Sequence, residues 1–386
     1  MTTSPPPRVC LVLSHFHPHA SGAERQALAQ GAELVRRGHS VRVVTRFIPE
    51  LPVDDVLEGV LIHRWIKTLS IGPLFGLSFV AGLARALRRL RPQYDLIHTH
   101  QALWESITVG AAHAWLSGAP TLIQPASSGY YGEAEEMART RGFPVLRRLA
   151  LHNTAFAAIS EDIERQWLAL GVPPSKMIRM ASGVDTRYFR PGSVDPAIEA
   201  ILPPRPRVVF TGRLHPQKNL AMLLDAWPAV ARETGASLVL VGDGEDRERL
   251  TERAEALGVA DRIHFAGKVA DPADHLRAAD AFALPSVAEG MSNSLLEAMA
   301  TGLPCLASDI GGNTDLLDRG QAGLLLPSDD PGAWSTAIVR VLSDRPFANR
   351  LGRAARSKVE VGYSIGAVVD RYQELYRRLV SGEFSA

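Results

Sequence analysis

AFALPSVAEGMSNSLLEAMATG, residues 281–302, carries in small the organisation of the whole chain. Ala281–Pro285 is short and apolar, the pattern of a strand covered on both faces. Ser294–Ala300 has helical spacing and runs out at Gly302, a residue type that ends helices. Between them lies a loop, with one acid before the helix, Glu289, and one within it, Glu297. A strand that turns directly into a helix aims backbone N–H groups at whatever lies beyond the strand's carboxyl end. Carboxylates at such a junction are unsuited to phosphate and well suited to hydroxyl groups, which donate hydrogen bonds to them.

The complement of those acids would be cations, and VVFTGRLHPQKNL, residues 208–220, supplies them. A hydrophobic strand meets Gly212, then Arg213, and Lys218 opens the next helix. Arginine offers a planar fork and lysine a point charge, both sound partners for phosphate. Gly212 lets the backbone come close to a ligand. Alone, such a pair reads as solvated surface charge. Set beside the acidic loop, it points to a ligand with both phosphates and sugar hydroxyls.

Outward from these stretches the same alternation repeats. Strands are predicted at Val9–Leu13, His39–Thr45, Leu61–Trp65, Leu96–His98 and Thr121–Gln124, with helices at Gly22–Arg37, Leu77–Leu90 and Ala102–Leu116. The pattern continues through Arg148–Ala155 and Ala157–Ser160, and Ser160 is a suitable N-cap for a helix over Glu161–Leu170. Gly183–Pro206 interrupts it with prolines at 191, 196, 203, 204 and 206, the composition of a linker. The alternation then restarts. Strands are expected at Val208–Phe210, Ser237–Val241, Ile263–Phe265, Ala281–Leu284, Pro304–Ala307 and Leu324–Leu326. Helices are expected at Asn219–Glu233, Asp246–Leu257, Asp274–Ala279, Ser294–Ala300, Asn313–Leu317 and Pro331–Leu342, and a last one at Val368–Val380. Strand followed by helix, over and over, is the signature of parallel βαβ units. The predicted fold class is α/β, with two Rossmann-like doubly wound domains facing across a cleft. The first domain takes residues 1–185 and the second 186–366, with the helix of residues 367–386 packing back on the first.

Composition bounds the function. The 386 residues carry a formal net charge of +1, which does not suggest a nucleic-acid partner. The charge is uneven, however. Residues 1–190 hold 21 Lys/Arg against 15 Asp/Glu, and the remainder holds 21 against 26. A basic first half suits an anionic acceptor or a membrane surface. The longest uncharged run, Thr68–Ala84, is short of a bilayer span and holds Gly72, Pro73, Gly76 and Gly82. Arg85-Ala86-Leu87-Arg88-Arg89-Leu90-Arg91 follows it, a set of arginines that could meet anionic lipid or line a solvated helix face. Cys10 and Cys305 sit in apolar runs as buried free thiols, consistent with a reducing compartment. No signal peptide is visible in the Pro-rich start. The expected localisation is cytoplasmic, with peripheral contact at the inner membrane face through the basic first domain.

Taken together and in order, several motifs resemble those of the family-4 retaining glycosyltransferases, which have the GT-B fold. They are His17-Pro18-His19-Ala20-Ser21-Gly22-Ala23-Glu24, Asp95-Leu96-Ile97-His98-Thr99-His100, Ala158-Ile159-Ser160-Glu161 and Gly183-Val184-Asp185 before Phe189-Arg190-Pro191. Gly212-Arg213-Leu214 through Lys218-Asn219, Val241-Gly242-Asp243-Gly244 and the paired-glutamate segment complete the series. The resemblance covers nearly the whole chain. It implies transfer of a sugar from a nucleotide-diphosphate sugar to a hydroxyl acceptor, a glycan, lipid-linked or small molecule, with no metal and no cofactor. It implies that Arg213 and Lys218 hold the diphosphate and that Glu289 contacts the transferred sugar, these three being catalytic. Glu297 would take the ribose hydroxyls. Backbone groups of Gly290, Met291, Ser292, Asn293 and Ser294 would hold sugar and phosphates, and Val269 would lie beside the base. Gly212 and, from the first domain, Gly22 would let the backbone approach the diphosphate.

The chain departs from the family pattern in two places. The usual pair of first-loop glycines is Ser21-Gly22 here. Many members also carry a histidine after the strand placed at Thr121–Gln124, whereas this chain has Gln124-Pro125-Ala126-Ser127-Ser128-Gly129-Tyr130-Tyr131-Gly132-Glu133. Ser127, Ser128 and Glu133 thereby become candidates on the acceptor side, with His100 as a fourth. The bland readings compete. His15, His17 and His19 alternate without marking a metal site, and none is predicted. In Gly242-Asp243-Gly244 the third glycine of a dinucleotide fingerprint is replaced by Arg247, which argues against NAD. Glu289 and Glu297 could be exposed helix-start acids favoured by the dipole. Other functions kept in view are an altered or inactive sugar-nucleotide-binding protein and another GT-B enzyme such as an epimerase; nothing marks the pyridoxal lysine a phosphorylase needs.

Overall fold

Two parallel sheets take up the alternation. The structure, a computed structural model, describes residues 5–18, 22–69, 72–112, 118–129, 132–140 and 142–384. His19–Ser21 of the first-loop motif, Tyr130–Tyr131, residue 385 onward and residues 113–116 of the helix expected to Leu116 lie outside them. The chain divides into two units, Met1–Gly183 with Ile365–Ala386, and Val184–Ser364.

The first unit runs β1 (Val9–Val12), α1 (Gly22–Arg36), β2 (Val41–Arg46), β3 (Asp54–Leu57), β4 (Val60–Ile66), α2 (Gly72–Leu90), β5 (Leu96–Thr99) and α3 (Trp104–Ala112). It continues with β6 (Thr121–Ile123), α4 (Glu133–Arg139), α5 (Phe143–Ala150), β7 (Ala155–Ala158), α6 (Glu161–Ala169) and β8 (Met177–Arg179). Its sheet has the order β3-β4-β2-β1-β5-β6-β7-β8. Every pairing is parallel except β3 with β4. All residues of β1, β5 and β7 are buried, which is why they read as unbroken apolar runs. β4, one strand from the edge, alternates buried and half-buried. Ser160 caps α6 as expected, its hydroxyl accepting from the Ile163 N–H.

The second unit runs α7 (Pro196–Ile201), β9 (Arg207–Thr211), α8 (Leu220–Thr234), β10 (Ser237–Val241), α9 (Arg247–Ala256), β11 (Ile263–Gly267), α10 (Ala273–Arg277) and β12 (Ala281–Leu284). It goes on through α11 (Asn293–Thr301), β13 (Cys305–Ser308), α12 (Gly311–Leu316), β14 (Leu324–Leu326), α13 (Pro331–Ser343) and α14 (Arg345–Gly362). The last helix, α15 (Ile365–Ser381), belongs to the first unit. The second sheet is wholly parallel in the order β11-β10-β9-β12-β13-β14. Numbered from its own first strand this is 3-2-1-4-5-6, the doubly wound arrangement.

Three readings of the sequence need correction. The proline-rich stretch is not a free linker: from Val184 it is part of the second unit and contains α7. Arg356 on α14 donates to the carbonyls of Thr186, Phe189 and Ala300, and Arg277 on α10 donates to those of Tyr188 and Arg190. Second, α2 begins at Gly72, five residues before its expected start at Leu77, because a proline in the first turn removes only an N–H that has no helical partner. Third, α14 has no counterpart among the expected helices. Its composition is strongly polar, and its buried side chains form one stripe, Phe347, Leu351, Ala355 and Val359.

Candidate functional site

In the second sheet the winding reverses between β9 and β12. The chain moves outward from this pair in opposite directions, so the following helices cross opposite faces and leave a crevice beyond the two strand ends. Both motif stretches end there. Arg213 follows the carboxyl end of β9, exposed and with no hydrogen-bond or ion-pair partner among the described residues. Lys218 closes a short turn, Pro216–Lys218, whose N-cap is the His215 ring accepting from the Gln217 N–H at 3.1 Å. Asn219 then takes a left-handed conformation and ties its amide to the Ser328 carbonyl at 2.7 Å, before α8 starts.

The loop after β12 is stitched to that turn. The Val287 N–H donates to the Gln217 carbonyl at 2.9 Å, and the Gln217 side-chain amide donates to the Ala288 carbonyl at 2.7 Å. Lys218 Nζ donates to Glu289 Oε1 at 2.5 Å, and the Ser286 hydroxyl donates to the same oxygen at 2.7 Å. The motifs taken singly give Lys218 and Glu289 to separate parts of a ligand; the structure joins them. An ammonium has three donors, so this bond leaves Lys218 two for anionic oxygens.

Neither glutamate is a dipole ornament. Ser292 is the N-cap of α11, its hydroxyl accepting from the Leu295 N–H, and the first turn holds no acid. Glu289 precedes the cap and Glu297 lies in the second turn, with only 8% and 6% of their surfaces exposed. Burial of two acids against a helix start has a cost that surface placement would not. Gly290, Met291 and Ser294 are buried beside them, and the Ser294 hydroxyl meets that of Ser292 at 3.0 Å. The first N–H groups of α11, from Asn293 on, have no helical carbonyl to bond and point into the crevice end of the helix. Val269 stands just past β11, half-buried beside the exposed Lys268.

Two glycines hold this geometry, and only one was singled out in the sequence. A β-carbon on Gly242 would collide with the Gly212 carbonyl, so Gly242-Asp243-Gly244 serves to seat the loop after β10 against the loop after β9. A β-carbon on Gly312, at the start of α12, would collide with the Gly290 carbonyl. Gly312 and Gln217 are the positioning residues the sequence reading missed. Gly311-Gly312 opening a helix is the signal that was available for the first; nothing marked the second.

Gly22, His100, Ser127, Ser128 and Glu133 belong to the first unit. Gly22 is the exposed first residue of α1. His100 follows β5 and is 1% exposed; burial lowers its pKa to about 3, so the ring is neutral. Its Nδ1 lies 3.5 Å from the Gln124 amide. Gln124 also accepts from Tyr372 at 2.5 Å and meets His98 at 3.2 Å, and His98 in turn meets the Tyr376 hydroxyl at 2.7 Å. This network fastens α15 to β5. Glu133 and Ser127, expected to face an acceptor, bond to each other. Glu133 accepts from the N–H groups of Ala126 and Ser127 at 2.9 and 3.0 Å and from the Ser127 hydroxyl at 3.1 Å. Ser128 is buried.

Known proteins share this sequence and this fold. A family model described as glycosyltransferase family 4 matches residues 20–188, and one described as glycosyl transferases group 1 matches residues 205–344. A D-inositol 3-phosphate glycosyltransferase of Rhodococcus opacus is 31% identical over 97% of this chain and 91% of its own length. The UDP-Gal:alpha-D-GlcNAc-diphosphoundecaprenol alpha-1,3-galactosyltransferase of Escherichia coli is 28% identical over 94% of this chain and 95% of its own. Among solved structures, a sucrose-phosphate synthase from Thermosynechococcus elongatus superposes with a TM-score of 0.82 at 24% identity, covering 97% of this chain and 100% of that one. Anabaena HepE in complex with UDP superposes at 0.77 and 18% identity, over 96% and 99%.

Proposed function

The chain belongs to the group 1 glycosyl transferases of glycosyltransferase family 4, with the GT-B fold, and from that premise we propose a retaining, metal-independent transfer of a sugar to a hydroxyl acceptor. The observation that supports this most is the cluster at the β9–β12 reversal: an exposed guanidinium, an ammonium bonded to a buried carboxylate, and the open N-terminus of α11.

The chemistry assigned to it is electrostatic. As the bond from the sugar's anomeric carbon to the diphosphate breaks, negative charge grows on the leaving oxygen. Arg213 and Lys218 neutralise it, so no metal ion is assigned to that task. Glu289 fixes Lys218 and offers its remaining oxygen to sugar hydroxyls, while Glu297 takes those of the ribose. The acceptor oxygen bonds to the anomeric carbon on the face the diphosphate leaves, and its proton passes to the departing phosphate. The donor is a nucleotide-diphosphate sugar, and no cofactor is assigned. The acceptor is a glycan, a lipid-linked sugar or a small polyol.

Partial attachment to a membrane is part of the same reading. Among the described residues no helix is long and apolar enough to cross a bilayer. The exposed stripe of α2 instead runs Leu74, Leu77, Ala81, Arg85, Arg88, apolar at one end and basic at the other. Such a face suits the surface of an anionic membrane at the cytoplasmic side.

The test is a thermal-shift screen of UDP-, GDP- and ADP-sugars, followed by transfer assays with the best donor and NMR of the product's anomeric proton. A ligand bound only by the native state raises the melting temperature. Retention of the donor's anomeric configuration, undiminished by EDTA, is expected; inversion, or loss of turnover with EDTA, refutes the mechanism. Donor binding without transfer to any acceptor would favour the inactive binding protein.

A further inference from the structure

The first sheet has a reversal of its own, between β1 and β5. Beyond it stands Ser14, which follows β1 and is only half-buried. Ser14 is held at every polar atom. Its N–H donates to the Gln101 side-chain oxygen at 3.1 Å, its carbonyl accepts from the Thr45 hydroxyl at 3.4 Å, and its hydroxyl donates to Glu105 Oε1. Glu105, near the start of α3, is 2% exposed. None of these residues has a role in the assignments above.

We propose that Ser14, oriented by the buried carboxylate of Glu105, accepts a hydrogen bond from a hydroxyl group of the sugar-acceptor substrate and so positions that substrate on the first unit. The inference rests on the glycosyl-transfer reading.

A hydroxyl has one hydrogen and two lone pairs. Because Glu105 takes the hydrogen inward, Ser14 is left facing outward as an acceptor, the complement of a donating hydroxyl. A second buried carboxylate, Glu133, acts on Glu105 through space and raises its pKa further above that of an exposed acid. Two acids in one place disfavour a phosphate or carboxylate there and favour a neutral polyol. Nearby, at the end of β5, the Thr99 hydroxyl and His100 Nε2 are buried with no hydrogen-bond partner among the described residues. Polar atoms left over at a strand end are what a polar ligand would satisfy.

Glu105 is a positioning residue on this account, and Ser14 is the group that touches substrate. Steady-state kinetics on the full chain, with UDP-glucose as donor and octyl α-glucoside as the varied acceptor, test the pair. Melting shifts with UDP are read on the same preparations. Ser14→Ala and Glu105→Gln should each raise the acceptor KM about tenfold or more, with kcat at saturating acceptor changed less than about threefold. Ser14→Thr, which keeps the hydroxyl, should stay near the unsubstituted chain. An unchanged KM in both Ser14→Ala and Glu105→Gln overturns the proposal, as does a fall in kcat at constant KM. Failure of the donor reading looks different: UDP would then give no melting shift in the unsubstituted chain.

Discussion

At the scale of single residues, the bond between Lys218 and Glu289 sets the sharpest expectations. Each partner is assigned a task in the reaction, and each also holds the other in place, at 18% and 9% side-chain exposure. Lys218→Ala and Glu289→Ala should each cut turnover by about 10²-fold or more, with far-UV circular dichroism unchanged. Lys218→Ala should also cost about 1–3 kcal/mol of stability by removing the cation from a buried carboxylate. Adding Glu289→Gln should recover part of that loss without recovering turnover. Turnover within twofold of the unsubstituted chain in both alanine variants would remove these residues from the site. Glu105 offers a second test, in pH. Burial, aided by Glu133, raises its pKa from 4.5 to about 7. The folded state therefore holds the proton more tightly than the unfolded chain does. The resulting stability is fully present below about pH 4.5 and is lost as pH rises through about 7, with each tenfold difference in proton affinity worth about 1.4 kcal/mol. Glu105→Gln cannot ionise, so it should match the unsubstituted chain at pH 5 and melt at a higher temperature at pH 8. A melting difference that does not grow between those pH values would place the carboxyl in water.

At the scale of elements, the loop before α11 is set by its neighbours more than by its own residues. Gln217 ties it to the turn after β9, and Gly312 lets α12 start against the Gly290 carbonyl. Gly312→Ala should displace that loop. The expected cost is about 1–3 kcal/mol, with turnover reduced well beyond what the stability loss explains, measured by melting and donor affinity together. An unchanged UDP affinity at a lowered melting temperature would show that Gly312 supports the fold alone. The same distinction separates what could be read from the sequence from what could not. β10, β12 and β14 were placed to the residue, because a strand buried on both faces is a closed apolar run between turn residues. Ser160 as a cap was equally plain. By contrast β3 depends on a tight turn with Glu58 at positive φ, and glutamate is no turn signal. α4 and α5 sit in a polar, glycine-broken stretch, and α14 shows its apolar stripe only at four-residue spacing. In the site, the residue types and the junctions were legible, since they lie within single motifs. The Lys218–Glu289 bond spans 71 residues and exists because β9 and β12 are neighbours. That adjacency is a property of sheet order, which no local pattern states.

At the scale of the whole molecule, the uneven charge acquires a location. The excess of Lys and Arg in residues 1–190 includes Arg85, Arg88 and Arg89, all exposed on α2. Leu74 and Leu77 on the same stripe are 45% and 68% exposed, and Leu69 just before the helix is 53% exposed. α5 repeats the theme with Val145 at 64% beside the exposed Arg148. A monomer in water has no use for exposed leucines in line with arginines, whereas an interface with lipid uses both: the apolar end enters the headgroup region and the cations meet anionic lipid. Each cation near such a surface contributes about 1 kcal/mol, so several together would hold the protein peripherally and reversibly. Vesicles of phosphatidylcholine with phosphatidylglycerol should therefore sediment the protein at low salt and release it at about 0.5 M salt, where the screening length is only a few ångströms. Vesicles of phosphatidylcholine alone should retain little. Arg85→Glu with Arg88→Glu should abolish retention, and Leu77→Glu should weaken it at every salt concentration, because the apolar contribution is not screened. Turnover with a water-soluble acceptor should be unaffected in the same variants, since none of these side chains lies at either sheet reversal. Retention by neutral vesicles equal to that by anionic ones would separate the basic stripe from any membrane role and leave the charge asymmetry to an anionic acceptor instead.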